Sequence, residues 1–281
     1  MIFQAGRFDV GAPDPSMEAQ EKALKYIEEV YPKTPVIDWT DEGLLRSIRR
    51  VIQSGCINRE ASPGIPYSQL AEDNGVLLDN HRDFLEKACL ERLKLWRDTP
   101  NSQVREFTEI EMVLFGFADP IRDHVKQEPH TTEKVNTGRM RIISGMSIVH
   151  QICERVLHTA QNNIEILNWE KINSMIGIGF TDRQNRVVYK IFVELMRKFK
   201  LIGTDVSGWD WSVRKWMFTF LVRVRIMLCN AAGTPAENMY LNWVFTLQRK
   251  IFSLTNGRFF VTIVQDIIMT SGSLSLGLAT P

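Results

Sequence analysis

Asp205 and Asp210 stand five residues apart in the stretch TDVSGWDWSV, with Gly208 and Trp209 between them and Trp211 just beyond. The preceding residues have strand character, so the reading places a strand over 200 to 206, with one carboxylate at its C-terminal end and the second after a short turn. Oxygen ligands held this way suit magnesium, which takes few carboxylates and fills its shell with water and substrate phosphates. Taken alone, the same spacing more often means that Asp205 caps the next element and Asp210 is solvated. The two Trp are expected to pack rather than to stack on bases.

A second group of chemistry-bearing residues lies upstream. Lys126, Lys134, Arg139 and Arg141 flank the turn signal Asn136-Thr137-Gly138, with Glu128 among them. Such a concentration of cations neutralises phosphates, and the Arg fork grips them bidentately. Seen in isolation it is equally a solvated basic hairpin. Two further stretches are turns first and ligand-facing second: Ser271-Gly272, which brings hydroxyl and bare backbone together, and SPGIPY, a rigid loop holding Ser62, Gly64 and Pro66.

The elements that must position these groups follow from periodicity. Helices are expected over SMEAQEKALKYIEEVY with Ser16 as N-cap, DEGLLRSIRRVIQ, HRDFLEKACLERLKLWRD, MSIVHQICERVLHTAQNNIEIL and DRQNRVVYKIFVELMRKF. Two more run from about Val213 to Cys229 and from Pro235 to Leu254. Between Asp119 and Gly145, β-branched residues alternate with charge, which predicts two extended segments around a basic loop. A hairpin is expected in TNGRFFVTIVQ with Asn256-Gly257 at the turn, and part of 258 to 270 as a strand.

Composition narrows the classes. With 281 residues, 34 basic and 33 acidic, the chain has almost no net charge, so nucleic-acid affinity must come from local patches rather than a global field. Cys56, Cys89, Cys153 and Cys229 form no C-x-x-C pair, which argues against a zinc site or a disulfide framework and fits a reducing compartment. The His residues share no metal-ligand spacing. No run is long enough for a membrane span, and the N-terminus has no secretory pattern.

The order of the four stretches is what carries the assignment: a Ser-Pro-Gly-Ile-Pro loop, a basic hairpin, a strand ending in D-x-x-x-x-D, and a Ser-Gly turn after a hairpin. DPIRDHVKQEPHTTEKVNTGRMRIISGMSIVHQI and DVSGWDWSV resemble the finger motif and the first palm motif of RNA-directed RNA polymerases of positive-strand RNA viruses, in particular the sobemovirus-like group. The resemblance runs from about Ala61 to Ser273. It implies an α+β fold of right-hand polymerase architecture, with helix-rich fingers around an incomplete antiparallel palm sheet. The implied divisions are 1–60, an N-terminal arm and finger helices; 61–199, fingers with the template-entrance loop and basic hairpin; and 200–281, a partial palm.

Carried over residue by residue, the resemblance implies that Asp205 is catalytic and binds the magnesium (or manganese) ions, and that Asp210 recognises the ribose 2′-hydroxyl. Lys126, Arg139 and Arg141 would guide the nucleotide triphosphate, Ser271 and Gly272 would belong to a mobile loop beside template and nucleotide, and Ser62, Gly64 and Pro66 would line the template entrance. The implied partners are template RNA, nascent RNA and nucleoside triphosphates, with viral replication proteins, in a replication complex of the host cytoplasm. The second palm motif departs from the family pattern, with Leu276 and Thr280 where Thr and Asn are expected. One lost nucleotide near codon 273 would account for this; the family's Gly-Asp-Asp motif, which supplies the partner metal acids, is not in the sequence, and the expectation is therefore a fragment inactive by itself. The alternative is a non-catalytic RNA-binding or replication-scaffold protein derived from a polymerase. A magnesium phosphohydrolase built on D-x-x-x-x-D alone has no use for the other three stretches.

Overall fold

The computed structural model describes residues 13–35, 37–172, 174–179, 181–205, 213–248, 251–254 and 259–261. Within them, α1 (Met17–Val30), α2 (Asp41–Gln53), α3 (Asn74–Asn80), α4 (Arg82–Asp98), α5 (Asn101–Val104) and α6 (Glu109–Leu114) precede β1 (Ile121–Val125). Then come α7 (Thr132–Asn136), β2 (Ile142–Gly145), α8 (Ile148–Leu167), α9 (Asp182–Lys198), α10 (Lys215–Leu228), α11 (Pro235–Gln248), β3 (Ile251–Leu254) and β4 (Phe259–Val261).

The helix starts are written in the local sequence. Ser16, Thr40, Asp73, Thr108, Thr131, Ser147 and Thr181 each accept a hydrogen bond from a first-turn backbone N–H, which satisfies one of the donors a helix start leaves open. Thr108 with Glu111, and Thr181 with Gln184, form reciprocal capping boxes.

Helix α4 is the central post. Its apolar stripe Leu85, Cys89, Leu93 and Trp96 is fully buried, and α2, α3, α8 and α11 pack around it. Ile148, Ile152, Cys153 and Leu157 of α8 and Met239, Tyr240 and Trp243 of α11 complete the core. Several polar groups buried here are paired: Trp96 Nε1 donates to the Phe117 carbonyl at 3.0 Å, Tyr240 Oη to the Leu157 carbonyl at 2.7 Å, and Asn242 Nδ2 to the carbonyls of Trp96 and Thr99 at 2.8 Å each. These bonds tie the ends of helices to neighbouring helices, because a buried amide without a partner is costly.

The strands form one sheet in the order β2-β1-β3-β4. β1 and β2 are antiparallel, with Arg122 opposite Gly145, His124 opposite Ile143 and Val125 opposite Ile142. β3 and β4 are also antiparallel, Ile251 opposite Val261, and residues 255–258 between them, with Asn256 and Gly257, lie outside the described set. β1 runs parallel to β3, Ile121 opposite Phe252. The α+β class and the two antiparallel hairpins agree with the sequence reading, and the parallel seam that joins them makes the sheet mixed.

Two element assignments change. The last long helix ends at Gln248 rather than Leu254, and 251–254 is strand. Helical periodicity there is overridden by backbone pairing to β1 on one side and β4 on the other, a long-range contact that local pattern does not contain. Residues 200–205 are not in a strand, and no described strand pairs with them. A strand exists only with a partner to take its backbone donors and acceptors.

Candidate nucleotide-phosphate site on the finger hairpin

The site is built on the β1–β2 hairpin. Beyond the last strand residue the ladder continues with Lys126 N–H donating to the Arg141 carbonyl at 2.8 Å. Directly opposed residues of an antiparallel pair project from the same face. The register thus sets Lys126 beside Arg141, with His124 and Arg122 further along the same face, and turns Ile121 and Asp123 toward the buried one. A period of two in IRDHVK thus lines up Arg122, His124 and Lys126.

Lys126, Arg139 and Arg141 each meet an acid. Glu128 bridges two of them: Lys126 Nζ lies 2.7 Å from Oε2 and Arg141 Nη1 lies 3.3 Å from Oε1. The Lys126 hydrogen bond first, and the charges of Lys126 and Arg141 after it, hold the Glu128 carboxyl below its ordinary range. Arg139 pairs with Glu133 of α7, and its Nε donates to Thr137 Oγ1 at 2.8 Å. A tight turn sets this up, since Glu128 N–H donates to the Lys126 carbonyl at 2.9 Å and His130 Nε2 lies 3.1 Å from the same oxygen.

The root of the hairpin is fixed by residues to which the sequence reading gave no role. Asp119, two residues before β1, forms a bidentate pair with Arg92 of α4, and Ser147, which caps α8 just after β2, donates its hydroxyl to the same carboxylate. Both ends of the hairpin therefore converge on one buried ion pair. The signal was present: Arg92 interrupts the apolar stripe of α4 between Cys89 and Trp96, and a charge on a core-facing stripe needs a partner.

The SPGIPY loop docks at the same place. Ile148 N–H donates to the Pro63 carbonyl at 2.9 Å, and Gly64, at φ 74°, lies so close that a Cβ would come within 2.8 Å of Ser147 Cα. Gly64 is buried while Ser62 and Pro66 are exposed, and Gly64 N–H donates to Ser62 Oγ at 3.3 Å. The loop and the basic hairpin are thus brought together across the start of α8.

The other expected site residues are not brought together among the described residues. Asp205 is exposed, while Trp209, Asp210, Trp211, Ser271 and Gly272 lie outside the described set. No group of three His, Cys, Asp or Glu side chains able to hold a metal gathers among the described residues. Asp205 alone does not form a metal centre.

The family model for viral RNA-directed RNA polymerase matches residues 1–222, a span that includes the hairpin, the SPGIPY loop and Asp205. The chain belongs to this polymerase family. It is 33% identical over 285 residues to the replicase polyprotein P2AB of Southern bean mosaic virus, covering 97% of this chain and 28% of that protein. It is 32% identical to the RNA-directed RNA polymerase of Mushroom bacilliform virus, covering 76% of this chain and 51% of that one. Protein P1-P2 of Potato leafroll virus is 29% identical, over 92% of this chain and 26% of its own length. The chain thus spans about half or less of the length of these relatives, and its resemblance is to the sobemovirus-like group. A solved structure, the Sicinivirus 3Dpol RNA dependent RNA polymerase, superposes with a TM-score of 0.64 at 12% identity, over 96% of this chain and 52% of its own. That likeness supports the right-hand polymerase fold.

Proposed function

We propose that this chain contributes the fingers and part of the palm to template-directed RNA synthesis, and that the β1–β2 hairpin holds the phosphates of the incoming nucleotide. The observation that carries the reading is the register that sets Lys126 beside Arg141 on one face, in a chain of the polymerase family. Phosphoryl transfer is largely positioning and charge neutralisation, and paired cations on a short rigid ladder do both. Arg139, one turn away, extends the patch. Asp205 is proposed as a ligand of magnesium or manganese, which would supply charge at the reacting phosphate, and Asp210 as the group that recognises the ribose. Ser271 and Gly272 are proposed beside template and nucleotide, and the Ser62-to-Pro66 loop at the template entrance. The proposed setting is a replication complex in the host cytoplasm with other viral replication proteins.

The hairpin role is tested by filter binding of single-stranded RNA and of nucleoside triphosphate to the purified chain. Arg139→Ala with Arg141→Ala should weaken both and reduce the slope of log affinity on log salt by up to about 1.4, since each lost phosphate contact removes about 0.7. Unchanged affinity and slope would exclude the hairpin from the site. The catalytic part is tested in the complete polymerase that carries this chain, where Asp205→Asn should slow primer extension by about 100-fold or more. Extension at the parental rate would leave the RNA-binding scaffold as the reading that stands.

A further inference from the structure

The cations proposed to hold phosphate are already held by a carboxylate. Lys126 and Arg141 face the same side of the ladder, where two like charges repel, and Glu128 lies between them with one oxygen on each, at 2.7 and 3.3 Å. The turn through Glu128 N–H and the Lys126 carbonyl returns the side chain to the cation two residues before it. Among the described residues the arrangement stays accessible: the side chains of Lys126, Glu128 and Arg141 are 39%, 25% and 65% exposed, so an anion reaching the face meets all three.

Resting on the reading above, we infer that Glu128 is an internal placeholder for the phosphate group: its carboxylate occupies the cation pair in the nucleotide-free chain and is exchanged for phosphate oxygens when a polyphosphate binds. A carboxylate and a phosphate offer the same chemistry to an ammonium and a guanidinium, paired oxygens with negative charge. Both cannot hold the pair at once, because the two anions repel at this distance. Binding therefore breaks the Glu128 contacts, and the affinity for phosphate is lower than the cations alone would give. In return, Lys126 and Arg141 are kept side by side and pointed along one direction before the ligand arrives.

The sign of a single substitution separates this from a purely structural role. Inorganic tripolyphosphate is titrated calorimetrically into the purified chain in metal-free buffer at low salt. If Glu128 is the placeholder, Glu128→Gln should bind tripolyphosphate roughly three- to tenfold more tightly than the parent, the scale of one or two exposed ion pairs no longer being broken. Glu128→Asp, which keeps the charge, should stay near the parent. The gain should shrink at high salt, where exposed pairs are screened, and vanish when Lys126 and Arg141 are both Ala, as a double-mutant cycle requires. Glu128→Ala is measured in parallel, and thermal unfolding of each variant checks that the hairpin persists. If Lys126→Ala and Arg141→Ala weaken binding while Glu128→Gln and Glu128→Ala leave it unchanged or weaken it, the carboxylate is structural and the inference is wrong, with the phosphate reading intact. If the Lys126 and Arg141 variants bind tripolyphosphate like the parent, the phosphate reading itself fails and takes the inference with it.

Discussion

Arg92 grips Asp119 with both arms of its guanidinium, Nη2 to Oδ1 at 2.9 Å and Nη1 to Oδ2 at 3.2 Å, with both side chains over 90% buried. Breaking a buried pair leaves an uncompensated charge, which costs about 3–5 kcal/mol. Asp119→Ala should therefore lower unfolding free energy by about that amount in urea titration, and Arg92→Met by a similar amount. The double variant Arg92→Met with Asp119→Leu should recover most of the loss, because no charge is then left buried. A double variant as unstable as the sum of the singles would show that the pair is not the coupled unit proposed.

Gly64 and Gly55 both have positive φ, 74° and 72°, yet differ in what surrounds them. A Cβ at Gly55 meets nothing within 4 Å, whereas at Gly64 it meets Ser147 Cα at 2.8 Å and two further backbone atoms at 3.0 Å. Gly55→Ala should thus cost about 1 kcal/mol from the backbone conformation alone. Gly64→Ala should cost roughly 2–4 kcal/mol, since backbone must also move at the seam between the SPGIPY loop and α8. Equal losses in chemical denaturation would mean that this seam is loose.

His158 is fully buried between the rings of Tyr240 and Trp243, with centroids 5.6 and 4.3 Å away, and neither ring nitrogen has a hydrogen-bond partner among the described residues. Burial first, then the Arg225 and His150 charges, push its pKa well below the ordinary value. In the unfolded chain His158 takes up a proton near pH 6.5, and in the folded chain it does not until far lower pH. Its contribution to stability is thus complete above about pH 7 and is lost as pH falls below about 6.5, at up to about 1.4 kcal/mol per pH unit. Thermal melts from pH 7.5 to 5 should show this slope in the parent and less of it in His158→Phe. An unchanged slope in the variant would place the acid sensitivity elsewhere.

Helix α9 has a reciprocal cap, Thr181 with Gln184, but no buried residue. Most helical stability comes from packing, so this helix should open without the core. Its amides should exchange with deuterium well before those of α4 and α8, and Thr181→Ala should speed that exchange by about fivefold, the equivalent of about 1 kcal/mol at an N-cap. Global unfolding should be nearly unchanged. Protection of α9 equal to that of α4 would contradict the burial pattern.

Much of this protein was legible before folding. Ser16 marked a helix start because capping is a contact over three residues, and Phe84, Leu85, Cys89, Leu90, Leu93 and Trp96 marked a helix because the helical repeat is fixed by backbone geometry, although Phe84 proves exposed. The basic turn and the carboxylates of TDVSGWDWSV were visible as residue types at short spacing, and their order along the chain identified the family. What tertiary structure decided was everything that depends on which distant segment supplies a partner. Residues 251–254 left the helical pattern because β1 and β4 pair with them, and 200–205 have no described strand to pair with. Arg92 found Asp119, 27 positions further on, whose carboxylate also takes the Ser147 hydroxyl, and so rooted the hairpin in the core. Glu128 read as one more charge in a basic loop, until the register of β1 on β2 set Lys126 and Arg141 side by side with its carboxylate between them. Local sequence fixes periodicity and capping through bonds that close within a few residues, whereas a charge acquires its role from the neighbours that long-range pairing brings to it.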